Sequence, residues 1–146
     1  MEDQQKLQQI LSQLEAYKAQ IELYQQQVDA VQASIAEVKV LESTLDDIAK
    51  KDTVETLVPI GAGSFIKAEI KNEDKVVMSL GSGVAVTKTF EEAKATAAQQ
   101  KQDLQDTLDK LFKDLQQLTD IVAQLSPQAE ALMQRMQAQG MAPMGF

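Results

Sequence analysis

The sequence predicts a mostly helical α+β chain: a long antiparallel two-helix coiled coil with two β-hairpins, four short strands, at its base. Three observations carry this. Two heptad-patterned arms of nearly equal length span roughly residues 4 to 51 and 90 to 139. Between them lies a stretch of alternating apolar residues punctuated by two Gly-x-Gly turns. An outgoing and a returning helix pair along their whole length only if the arms match, and here they do.

In the first arm, placing Leu7 at heptad position a puts Leu14, Ile21, Val28 and Ile35 at a, and Ile10, Tyr17, Tyr24, Val31, Val38 and Leu45 at d. Glu42 is the break in the a series. The second arm places Phe90, Ala97, Leu104, Leu111, Leu118 and Leu125 at d, then Leu132, with Leu108, Leu115, Val122, Ala129 and Met136 at a. Lys94 and Lys101 interrupt it. A repeat held this long marks a coiled-coil seam, because the stripe of a globular helix drifts off a strict seven-residue period. At 1.5 Å per residue each arm reaches about 70 Å, too long for a compact domain of this size.

Local chemistry sets the boundaries. Thr89 and Glu92 have capping-box spacing, and Glu91 and Glu92 bring negative charge to the positive end of the second helix dipole. Lys50 and Lys51 suit the carboxyl end of the first helix. Pro127 removes a backbone donor and is expected to kink or restart the second helix, with Ser126 capping the new start. The resulting segments are a first helical arm over 1–53, a double hairpin over 54–88, a second arm over 89–139 and a flexible tail over 140–146.

Within the middle segment, Val54 to Ile60 and Ser64 to Ile70 read as strands joined through Gly61-Ala62-Gly63, and Val76 to Leu80 and Val84 to Lys88 as strands joined through Gly81-Ser82-Gly83. The polar run Lys71 to Lys75 connects the hairpins. Apolar residues fall on both faces: Phe65 on one side, Ile66, Ala68 and Ile70 on the other, then Val76, Met78 and Leu80 opposite Val77. Four short strands with open edges and no helix folded over them cannot bury that surface alone. An oligomer joined strand to strand is the physical expectation. The candidate assembly residues are Leu57, Ile60, Phe65, Ile66 and Ile70 in the first hairpin and Val76, Val77, Met78, Leu80, Val84 and Val86 in the second, with Gly61, Gly63, Gly81 and Gly83 making the turns.

Composition excludes several function classes. The chain has 44% hydrophobic but only 4% aromatic residues, so its apolar side chains suit seams better than a globular core. A net charge of −8 repels a phosphate backbone, and no nucleic-acid partner is expected. The first residues, MEDQQK, are polar, and no apolar run approaches the ~20 residues of a membrane span, so no membrane partner is expected and a cytoplasmic location is the default. With neither His nor Cys, the imidazole and thiolate catalysts and the common zinc sites have no parts. The acidic neighbours Asp46-Asp47 and Glu91-Glu92 do not face each other on a helix. Neither Gly-x-Gly turn continues as a phosphate-binding loop, and each leads into a strand. No catalytic residue, metal or cofactor is assigned.

The runs LVPIGAGSFIKAEI (Leu57 to Ile70), VVMSLGSGVAV (Val76 to Val86) and LSPQAEAL (Leu125 to Leu132) resemble, in this order, the archaeal prefoldin alpha subunit. The resemblance extends from about Leu7 to Met136, and two hairpins instead of one match the alpha type. It implies a hexamer of two alpha and four beta subunits whose hairpins close into β-barrels carrying six coiled coils. It also implies an ATP-independent chaperone that holds non-native polypeptides at the coiled-coil tips and delivers them to a group II chaperonin. The alternative from the periodicity alone is a passive coiled-coil scaffold between defined partners.

On this reading the substrate-binding tips hold Leu7, Ile10, Leu11 and Leu14 from the first arm and Leu125, Leu132, Met133 and Met136 from the second. Leu11 and Met133 lie outside a and d. Each of these side chains has ordinary seam packing as its competing role. Four of the six methionines, Met133, Met136, Met141 and Met144, lie near the carboxyl end, and flexible thioethers suit surfaces that accept unlike partners. The tail GMAPMGF lies outside the family pattern, and a frayed terminus is its ordinary state. Gln is abundant on the outer arm faces as a neutral, helix-compatible exterior. Glu42, Lys94 and Lys101 are expected to help fix register near the arm base.

Overall fold

A computed structural model describes residues 2–140; Met141, Met144 and Phe146 of the methionine-rich tail lie outside the described residues. In chain order the elements are helix α1 (Glu2–Ala49), strands β1 (Thr53–Gly61), β2 (Ser64–Lys71), β3 (Val76–Gly81) and β4 (Val84–Lys88), and helix α2 (Phe90–Ala138). The chain divides into two compact units. One comprises the described residues up to Gln32 with those from Asp106 onward, and the other comprises Ala33–Gln105.

In the first unit the start of α1 packs antiparallel to the end of α2. Leu7, Leu14, Ala129 and Met136 are its buried cluster, flanked by Ile10, Leu11, Val122, Leu125, Leu132 and Met133. In the second unit the end of α1 meets the start of α2 around Leu45, Phe90 and Ala93, with Leu41 and Ile48 packed alongside. The buried residues follow the heptad pattern: Leu7, Leu14, Val28 and Ile35 at a, Leu45 at d, and on α2 Phe90, Ala97 and Leu111 at d with Leu108, Ala129 and Met136 at a. Ala93 is the exception, fully buried outside both positions, where its small side chain admits strand residues against the helix. No polar or charged residue is buried among the described residues. An apolar stripe meeting an apolar stripe is the whole of the helix-pair core.

One expectation about the helices is corrected. Pro127 neither ends nor restarts α2, which runs unbroken through it. The missing donor affects only the carbonyl one turn back, at Ala123, and both residues lie on the exposed side where water replaces the bond. Helix α1 ends at Ala49, and Lys50 and Lys51 directly follow its last residue, at its carboxyl end. The start of α2 has the expected cap: the Glu92 N–H donates to Thr89 Oγ1 at 3.1 Å and the Ala93 N–H to the Thr89 carbonyl at 2.8 Å. The Thr89 hydroxyl in turn donates to Glu92 Oε1 at 3.1 Å.

The four strands form two separate antiparallel sheets, β1-β2 and β3-β4. Each closes with the same device. Gly61 pairs with Ser64 and Gly81 with Val84, leaving two-residue loops in which both residues have positive φ: Ala62 49° and Gly63 74°, Ser82 53° and Gly83 77°. This is the type I′ turn, whose twist matches that of the strands. A register shift just before each turn lies between Pro59 and Gly61 and between Ser79 and Gly81. The expectation that no helix covers the strands is also corrected. Val76 and Met78 pack against Leu45, Phe90 and Ala93, so one face of β3-β4 is covered by its own chain.

Ala62 is the costly member of its turn, since a residue with a Cβ resists the left-handed region and Asn tolerates it. Replacing Ala62→Asn is expected to stabilise the first hairpin by about 0.5–1 kcal/mol, while Gly63→Val destabilises it by at least about 1 kcal/mol. Urea unfolding followed by a probe in β1-β2 checks both.

Candidate functional site

Two apolar surfaces stand out, one on the hairpins and one at the terminal cluster of the first unit. The hairpin surface arises from strand alternation. In β1-β2, Val54 faces Ile70, Thr56 faces Ala68 and Val58 faces Ile66 on one side of the sheet. Glu55 faces Glu69, Leu57 faces Lys67 and Pro59 faces Phe65 on the other. Both sides carry exposed apolar residues: Leu57, Ile60, Phe65 and Ile66 are 54–59% exposed and Val58 and Ile70 are also exposed, whereas Val54, Thr56 and Ala68 are half-buried. A sheet with large exposed apolar side chains on both faces is unstable against association.

The second hairpin is asymmetric. On its covered side Met78 faces Val86, both half-buried, and Val76 faces Lys88. Val77 lies on the opposite side and is 72% exposed, and Leu80 and Val84 beside the turn are exposed as well. Of the predicted assembly residues, Val76, Met78 and Val86 therefore fall on the side that packs inward. Val77, Leu80 and Val84 are left open. Gly61, Gly63, Gly81 and Gly83 are all at positive φ in or beside the turns. Val58 belongs to the exposed set and was not singled out from sequence; its alternation with Thr56 and Ile60 was the available signal.

The eight predicted tip residues are brought together in one cluster. Leu7, Leu14 and Met136 are buried, at 2%, 6% and 1% exposure, while Ile10, Leu11, Leu125, Leu132 and Met133 are half-buried around them. Leu11 and Met133 thus pack at the edge of the seam. One long contact, Arg135 Nη1 to Asp3 Oδ1 at 3.5 Å, ties the helix ends electrostatically. With Arg135 mostly exposed, such a pair contributes little. Leu23 and Phe112, on outer helix faces outside a and d, are exposed but stand apart from this cluster.

The polar exceptions in the seam form ion pairs across the second unit, Lys101 with Glu42 and Lys94 with Asp46, a residue just outside the seam. Lys101 Nζ lies 2.8 Å from Glu42 Oε1, and Lys94 Nζ lies 2.6 Å from Asp46 Oδ1. The hydrogen bond from Lys94, then its charge, holds the Asp46 carboxyl below its ordinary range. Asn72 and Asp74, read from sequence only as a polar turn, reach the two helix ends of this unit. The Asn-x-Asp spelling between two strand runs was the signal available for them.

Among the described residues no group of acidic side chains is arranged to hold a metal ion. No helix of the structure is long and apolar enough to cross a membrane among those residues.

Comparison with known proteins follows the same lines. Residues 17–135 match the family model described as prefoldin subunit. A prefoldin subunit alpha from Methanobrevibacter smithii is 54% identical over 132 residues, spanning 90% of each chain. A chain of filamentous PFD from Methanocaldococcus jannaschii, solved by cryo-EM, has a TM-score of 0.50 at 26% identity, covering 83% of this chain and 95% of that one. The prefoldin beta subunit from Thermococcus strain KS-1 is alike in fold, with a TM-score of 0.57 at 23% identity over 86% of this chain and 90% of that one.

The lowered Asp46 value gives a pH signature. An acid with a depressed folded-state pKa contributes stability above its unfolded pKa and loses it as pH falls through the folded value. For a pair this exposed the effect is small: Asp46→Asn is expected to lower the urea midpoint slightly at neutral pH and to make the acid limb slightly shallower below about pH 4. An acid limb unchanged in Asp46→Asn would remove the pair from the account.

Proposed function

Because this chain belongs to the prefoldin alpha-subunit family, whose members are chaperone subunits and not enzymes, we propose that it assembles through its hairpins with beta-type subunits and holds non-native polypeptides at its helix ends. The stoichiometry we infer is two alpha with four beta chains, the hairpins closing into β-barrels, and the location is the cytoplasm. Holding requires no nucleotide, and the cargo passes to a group II chaperonin.

The observation that carries this reading is the contrast between the two apolar surfaces. The hairpin surface is open on strands with free edges, which suits permanent strand-to-strand assembly. The terminal cluster is closed but thinly held. Each helix there has one seam, and among the described residues the end carries one long ion pair with a mostly exposed Arg135. Burying one Leu side chain is worth about 2 kcal/mol, so opening the last turns around Leu7 and Met136 requires only a few such contacts to be exchanged. Once opened, Leu7, Leu14 and Met136 join the half-buried Ile10, Leu11, Leu125, Leu132 and Met133 in a flexible apolar strip without directional bonds. Such a strip binds unlike unfolded chains and has little preference among them.

Light scattering tests the proposal. An unrelated denatured protein is diluted, without ATP, into buffer holding this chain assembled with a beta-type subunit. Aggregation is expected to be suppressed, and suppression to weaken when residues up to Leu14 and from Ala129 onward are removed. An intact complex that suppresses nothing would favour a passive tether, and suppression indifferent to the truncation would place cargo elsewhere.

A further inference from the structure

The segment joining the two hairpins does more than turn the chain. The Asn72 side-chain amide donates to the carbonyls of Ile48 at 3.1 Å and Lys51 at 3.0 Å, the acceptors at the carboxyl end of α1. Its backbone N–H donates to the Asp52 carbonyl at 2.9 Å, so the first hairpin begins and ends at one place. Its side-chain oxygen accepts the Asp74 N–H at 2.9 Å. That bond is an Asx turn, and it accompanies a left-handed Asp74 with φ 56°. From that conformation Asp74 Oδ1 accepts the N–H of Phe90, the first residue of α2, at 3.3 Å.

We propose that Asn72 and Asp74 form a relay that caps both helices at once, the side chain of Asn72 fixing the end of α1 and, through Asp74, the start of α2. The chemistry is matched at each end. Exposed carbonyls at a helix carboxyl end take a donor, and the Asn72 amide is one. Free N–H groups at an amino end take an acceptor, preferably anionic, and the Asp74 carboxylate is one. Thr89 caps Glu92 and leaves Phe90 to Asp74, so the two caps of α2 divide its orphan donors without overlap. Because both caps lie on three consecutive residues, the direction in which α1 and α2 leave the hairpins is set by one short loop. Asn72 and Asp74 are positioning residues for the helix pair in this unit.

The relay predicts coupling, which two independent caps do not. Amide hydrogen exchange in the full chain reads it at Lys51, whose N–H donates to the Ile48 carbonyl, and at Phe90. Asn72→Ala is expected to speed exchange at both by about fivefold, the loss of one cap. Asp74→Ala speeds Phe90 alone, and Asp74→Asn, which keeps an acceptor and tolerates positive φ, restores it. Asn72→Asp keeps the acceptor for Asp74 but loses the donor, so Lys51 exchanges faster and Phe90 stays protected. The double variant Asn72→Ala with Asp74→Ala leaves Phe90 no faster than Asp74→Ala does. The relay is overturned by Asn72→Ala leaving Phe90 at its original rate, or by additive effects in the double variant. Should Asn72→Ala fail to fold, unchanged Phe90 exchange in Asp74→Ala overturns it equally.

Discussion

A two-stranded hairpin has two faces and no interior, and that constraint governs what this chain can be. The β1-β2 sheet carries Leu57 and Phe65 on one face and Val58, Ile66 and Ile70 on the other, all exposed. Only a neighbouring element can cover such residues, and β3-β4 receives one, where Val76 and Met78 reach the core around Leu45, Phe90 and Ala93. At about 25 cal/mol per Å² of apolar area, several large side chains left in water are a strong drive to associate. Free backbone edges on both sheets offer the geometry for it. On the proposed function, assembly covers these side chains, and the drive toward it is visible in one subunit.

The helices meet the opposite constraint. Each has a single apolar stripe and one partner, so nothing stands behind the seam to support it. Where the helices meet the strands, polar groups add definition: Glu42 with Lys101, Asp46 with Lys94, the Thr89 cap, and the contacts of Asn72 and Asp74. Among the described residues around Leu7 and Met136, a 3.5 Å ion pair accompanies the apolar packing. This uneven distribution of directional bonds is what the proposed holding function draws on: one region keeps its geometry, and the other has few directional bonds to give up.

Most of the fold was legible because heptads and alternation are direct records of burial. The a and d assignment from Leu7 onward names nearly every buried helix residue, and the Gly-x-Gly spellings locate both I′ turns. The restart expected at Pro127 does not occur, because a proline rule states the loss of one bond without the environment that absorbs it. On an exposed face of a long helix, water absorbs it. Ala93 lies outside the helix repeat and is buried in a cluster that draws on both helices and on strand β3, a combination no heptad encodes. Which face of β3-β4 turns inward was undecidable from alternation with apolar residues on both sides, and contact with Leu45 and Phe90 decides it. Asn72 and Asp74 spelled a turn, but their partners lie 24 and 16 residues away, beyond any local pattern. The tip residues gathered as the heptads imply, in a closed cluster whose opening no sequence pattern encodes.

The central claim is that the open hairpin faces drive assembly, and the mass of the complex tests it most directly. Analytical ultracentrifugation would compare this chain with Phe65→Asp and Ile66→Asp variants, each mixed with a beta-type subunit. The original chain should sediment as a single hetero-oligomer, and the variants, with their helices intact by circular dichroism, should remain as small species. A full-sized complex formed equally well by both variants would contradict the account.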